Sequence, residues 1–111
     1  MPTLYELLTA AIQQKKQVTA LYQRLPREMC PHVLGYKDGT PRCLFYQFAG
    51  SSSKGIFPLD HPNARMNWRC LFLSELESVT LRDGPWYSIS WHTKKQTCVD
   101  DVRVQAEGWL W

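Results

Sequence analysis

The residues with chemical potential crowd into one stretch, Arg27 to Gln47, REMCPHVLGYKDGTPRCLFYQ. Cys30 and His32 stand two apart, so on a strand they would share a face, and Cys43 could lie across a hairpin from them. A closed zinc site takes four ligands, usually in paired knuckles. Here the rest would have to come from His61, Cys70, His92 or Cys98 on distant segments, so no metal is expected and the cysteines read as small buried hydrophobes. Nucleophilic catalysis has no better footing. The chain has no Gly-x-Ser-x-Gly elbow, and Ser51-Ser52-Ser53-Lys54-Gly55 lacks the strand and helix that would make it a phosphate cradle. Asp100 and Asp101 are adjacent and would point to opposite faces of a strand. The expectation is a protein with no catalytic site and no cofactor.

A pocket is the remaining chemistry. Tyr22, Arg27, His32, Tyr46 and Arg69 are polar or aromatic groups set among apolar strand residues. An arginine in a strand ordinarily lies on the solvated face. Two arginines, a histidine and two tyrosines converging in one hollow would instead suit a phosphate or carboxylate with a stacked ring, because guanidinium offers a bidentate fork and tyrosine a platform.

The elements that must position these residues follow from pattern. Thr3 and Glu6 have the spacing of a capping box, and Leu4, Leu7, Leu8, Ala11 and Ile12 recur at helical period, predicting a helix from about residue 4 to 16. QVTALY (Gln17 to Tyr22) then reads as a strand, QRLP as a turn, and Arg27 to Tyr36 as a strand in which Pro31 implies an edge, a bulge or a bend. Asp38-Gly39 signals a hairpin, because glycine tolerates positive φ, and Arg42 to Ala49 is its return strand. A loop occupies Ile56 to Asn67. Strands are expected at Trp68 to Leu73, Leu76 to Leu81, Trp86 to His92 and Asp101 to Ala106. The spacing leaves no room for βαβ crossovers. The expected fold is α+β: one domain over residues 1–111, with barrel strands over about 17–82 and a C-terminal β extension over about 83–111, the helix packed on a small, strongly bent antiparallel barrel.

Bulk properties agree with one small globular domain. The 111 residues carry a formal net charge of +3, which permits a phosphate-bearing ligand but falls short of a committed nucleic-acid binder. Five Trp, five Tyr and four Phe are rich for this length and serve strands, core or stacking alike. No apolar run is long enough to span a membrane, and the first sixteen residues do not read as a signal peptide. A cytoplasmic protein with reduced thiols is expected. The apolar end Gly108-Trp109-Leu110-Trp111 either packs on the domain or serves, through Trp109 and Trp111, as a surface for a second copy or a regulatory protein.

The order AIQQKKQVTALY, Arg27-x-x-x-Pro31, HVLGYKDGTPRCLFYQ, WRCLFLSELESV resembles the WYL domain of bacterial regulators over about Leu4 to Leu81. The naming tripeptide is replaced by Cys43-Leu44-Phe45-Tyr46, and Glu75 stands where that family has an arginine before its final isoleucine. The resemblance implies an Sm-like, SH3-type barrel preceded by a helix. It also implies a sensor of nucleotides or short single-stranded nucleic acid, with Tyr22, Arg27, His32, Tyr46 and Arg69 at the ligand. That family's usual N-terminal winged-helix domain and C-terminal extension have no counterpart here, so this chain is not expected to read DNA alone.

Overall fold

The computed structural model describes residues 3–51, 55–58, 60–88 and 97–106. Helix α1 (Leu4–Gln14) begins with the expected capping box: the Thr3 amide donates to Glu6 Oε1 at 3.0 Å and the Glu6 amide to Thr3 Oγ1 at 3.1 Å. It ends two residues short of expectation. Lys15 turns to φ 52°, and the Lys16 amide returns to the Ala11 carbonyl at 2.8 Å.

Six strands follow: β1 (Gln17–Tyr22), β2 (Leu25–Lys37), β3 (Thr40–Gly50), β4 (Trp68–Phe72), β5 (Leu76–Arg82) and β6 (Asp101–Gln105). They form one antiparallel sheet in the order β4-β3-β2-β1-β5, with β6 also on β2. The β2–β3 turn has positive φ at both Asp38 (51°) and Gly39 (78°), the primed geometry that matches strand twist. The β1–β2 turn repeats it with Gln23 and Arg24, neither of them glycine. Strand β2 is long enough to take two partners on one side, β1 along Leu25–Met29 and β6 along Val33–Tyr36. Its ladder with β3 shifts register between Pro31 and Val33, so the proline marks a bulge as expected.

Two expectations need correction. The ladders of the described residues do not close into a barrel: β4 and β5 are the sheet's edges and share no register, joined instead by a 3₁₀ turn, Leu73–Glu75. No strand forms over Trp86 to Ser88, and the rest of the expected strand to His92 lies outside the described residues. The Asp83 to Tyr87 segment is tied down by other means. Lys16 pairs with Asp83, Gln17 Nε2 donates to the Pro85 carbonyl at 2.7 Å, and the Tyr87 amide donates to Cys30 Sγ at 3.4 Å.

The sheet is buried on both faces. On one, Leu8, Ala11 and Ile12 of α1 meet Val18, Met29, Leu34, Phe45 and Leu71. On the other, Val33, Leu44, Tyr46 and Trp68 are covered by Cys98 and Val99. The cysteines divide accordingly. Cys30 and Cys43 are free and buried. Cys70 and Cys98 are not free thiols, as expected from the sequence, but form a disulfide. The fold brings their Cα atoms to 5.5 Å across a separation of 28 residues, within bridging range. No helix among the described residues is long and apolar enough to cross a membrane.

Candidate functional site

All five residues singled out from the sequence are buried. Arg27 is 3% exposed and Arg69 6%, so neither lies on a solvated face. Cross-strand partners share a face of a sheet. Arg27 stands opposite Ala20 and Arg69 opposite Phe45, and both partners belong to the helix-side cluster. Tyr22 belongs to the same cluster. These three come together. His32 and Tyr46 both pack against Trp68 of the opposite cluster, with ring centroids 4.7 and 5.1 Å away. Tyr46 still interacts electrostatically with Arg69, and His32 also meets Trp86, which packs on the helix-side cluster, at 4.7 Å.

The Arg27 guanidinium lies over the Tyr22 ring, 5.0 Å from its centroid. Its hydrogen bonds are long: Nη1 donates to Gln47 Oε1 and Nη2 to the Tyr22 carbonyl, both at 3.4 Å. Tyr22 in turn donates its hydroxyl to Glu75 Oε2 at 3.2 Å. Arg69 is held more firmly by three carbonyls. Nη1 donates to Met66 at 2.6 Å and Trp68 at 3.1 Å, and Nη2 to Gly55 at 2.8 Å. The buried Nε atoms of both arginines have no hydrogen-bond partner among the described residues. Neither guanidinium is in an ion pair among the described residues.

The electrostatics follow. Burial lowers the Arg27 pKa, and the Tyr22 hydroxyl only partly opposes it. Burial also lowers that of Arg69, and the positive charge of Arg27 lowers it further. The two cations therefore feel one another. Arginine stays protonated in proteins, so the helix side of the sheet holds two positive charges whose hydrogen-bond acceptors, among the described residues, are neutral.

Gln47 is the member that sequence reasoning missed. It is wholly buried, and besides accepting from Arg27 it donates Nε2 to Ala49 O at 3.1 Å and Ser51 O at 2.9 Å. The polar residue inside the apolar run CLFYQFA was the available signal. Gln47 and Arg69 thus grip the two ends of the Ser51-to-Gly55 connection. Beside Arg27 is a hollow of about 390 Å³, lined also by Thr19, Leu21, Pro26, Gly50 and Ser78. Glu28 borders it too, its carboxylate paired with Arg82 at 2.7 Å.

His32 and Tyr46 have settled structural partners. His32 Nδ1 donates to the Cys30 carbonyl at 2.8 Å, and burial pushes its pKa down to about 4, so it is neutral at physiological pH. Tyr46 donates to the Ala64 carbonyl at 3.0 Å and accepts from Asn67 Nδ2 at 3.4 Å. No group of three His, Cys, Asp or Glu among the described residues is placed to hold a metal ion. Trp109 and Trp111, the expected partner surface, lie outside the described residues.

No family model matches the chain, and neither the curated proteins nor the solved structures give a match.

Proposed function

We propose that this protein is a non-enzymatic binding module for a nucleotide-like or short single-stranded nucleic-acid ligand, built as a divergent, stand-alone WYL-like domain. One observation carries the reading: Arg27 and Arg69 are both buried and, among the described residues, neither pairs with a carboxylate. A buried cation is costly unless paired, and a phosphate would supply the missing charge. In this reading a phosphate meets Arg27 and Arg69, and the Tyr22 ring supplies the stacking face. His32 and Tyr46 support the site from the far face of the sheet.

The family-level fold belongs to the same proposal. A helix, a strand order that ends in β4 and β5, and a 3₁₀ turn linking those edges support an Sm-like, SH3-type arrangement. So does a cytoplasmic setting, in which a disulfide would be transient rather than permanent. Calorimetric titration with mononucleotides, cyclic dinucleotides and short single-stranded DNA and RNA tests the reading. Saturable binding that Arg27→Ala removes is expected. No saturable binding, or binding indifferent to Arg27→Ala, refutes it.

A further inference from the structure

Strand β6 is lightly attached for a member of a sheet. Asp101, Val102, Arg103 and Gln105 are exposed, leaving Val104 as its one inward residue. Four residue pairs join it to β2, with an irregularity between Leu34 and Gly35, and no other strand among the described residues pairs with it. The contact is close where it exists. A Cβ on Gly35 would stand 2.0 Å from the Asp101 carbonyl oxygen and 2.7 Å from Val99 Cγ1. The covalent anchor lies just before β6, where Cys98 and Val99 are buried and Cys98 is bonded to Cys70 of β4; after β6, Ala106 is buried and its amide donates to the His32 carbonyl at 2.8 Å.

The two sulfurs sit in unlike surroundings. Cys70 is exposed, whereas Cys98 is 6% exposed. Arg42 Nη1 lies 3.8 Å from Cys70 Sγ, its guanidinium held over the Phe72 ring at 4.3 Å. A fixed cation beside a sulfur favours the thiolate and so eases its departure in exchange.

We propose that Cys70–Cys98 is a thiol-exchange site whose opening frees β6 from β2 and uncovers the backbone edge of Val33 to Tyr36. The thiolate of a dithiol reductant, or of glutathione, attacks the exposed sulfur of Cys70. The electron pair of the S–S bond leaves on Cys98 Sγ, which takes up a proton. A second reductant thiolate attacks the reductant sulfur of the mixed disulfide and expels Cys70 as a thiolate beside Arg42. The protein gains two electrons and one proton, Cys70 staying a thiolate beside Arg42, and the reductant ends as a disulfide. A disulfide oxidant such as glutathione disulfide reverses the sequence. This inference does not depend on any ligand of the arginine site.

Hydrogen exchange read by mass spectrometry on the full chain tests it, first equilibrated with glutathione disulfide and then with dithiothreitol. In the oxidised sample, alkylation after denaturation should label two cysteines, Cys30 and Cys43. On reduction the amides of 101–105 should exchange at least tenfold faster, while those of β1 and β5 keep their protection. Gly35→Ala should expose the same amides with the disulfide intact, because the added carbon displaces β6. Arg42→Gln should slow reduction by glutathione several-fold. Four labelled cysteines after oxidation, or equal protection of 101–105 in both redox states, overturns the proposal. An unchanged reduction rate in Arg42→Gln overturns the role given to Arg42.

Discussion

Replacing Arg27 by methionine should make the protein more stable and unable to bind its anion. The side chain is 3% exposed, and its two hydrogen bonds are both 3.4 Å long. Bonds at that limit contribute at the low end of the usual range, about 0.5 kcal/mol each. The cation–π contact with Tyr22 adds roughly 1 kcal/mol. Against these stand the desolvation of a guanidinium, several kcal/mol even after relaxation, and repulsion from Arg69. Exchanging unpaired buried charge for a well-packed apolar side chain typically gains about 1–4 kcal/mol, so Arg27→Met should stabilise by about 1–2 kcal/mol. The buried Gln47 Oε1 and the Tyr22 carbonyl lose only donors at 3.4 Å, a loss already counted above, whereas Gln47 Nε2 keeps both carbonyl partners. Arg69→Met should do the opposite. Three carbonyls at 2.6, 2.8 and 3.1 Å would lose their donor, costing about 3 kcal/mol in all. Urea unfolding of the ligand-free proteins measures both. Destabilisation of more than about 1 kcal/mol by Arg27→Met would show that its charge is already compensated, and the reasoning would fail.

Three further outcomes follow from named residues. His32 titrates at about 4 in the fold against 6.5 when exposed, so the unfolded chain binds the proton first. Stability should be fully present above pH 6.5 and fall by up to about 3 kcal/mol as pH drops toward 4, a slope that His32→Phe should flatten in urea titrations at stepped pH. With a separation of 28 residues, the Cys70–Cys98 link should contribute about 3–4 kcal/mol, so Cys70→Ser should lower the unfolding midpoint under oxidising conditions and leave it unchanged in dithiothreitol. If single-stranded nucleic acid neutralises both arginines, the logarithm of its affinity should fall with that of salt at a slope of about −1.4, and a slope near zero would exclude phosphate contact.

Much of the fold was legible because its signals are local. Thr3 and Glu6 announce the helix, Asp38-Gly39 the long hairpin, and Pro31 the bulge, each by a mechanism confined to a few residues. What was hidden is non-local. The bulge at His32 turns two consecutive residues, His32 and Val33, toward the same cluster, so alternation fails there. The pairing of Phe45 with Arg69 depends on the path of residues 51–67, which has no periodicity, and that register sets Arg69 where it feels both Arg27 and Tyr46. Composition placed the arginines on a solvated face, yet the three carbonyls that hold Arg69 come from that same irregular path or next to it. The disulfide was invisible for a similar reason, since nothing local marks a cysteine in β4 as the neighbour of one 28 residues later.

The central claim is that Arg27 and Arg69 wait for an anion. The most direct measurement is the affinity of a nucleoside monophosphate against that of the matching nucleoside, in the wild-type protein and in Arg27→Met. The phosphate should strengthen wild-type binding at least tenfold, and that advantage should vanish in Arg27→Met while the variant remains folded. Equal affinity for nucleotide and nucleoside in the wild type, or a phosphate advantage that survives the loss of Arg27, would contradict it.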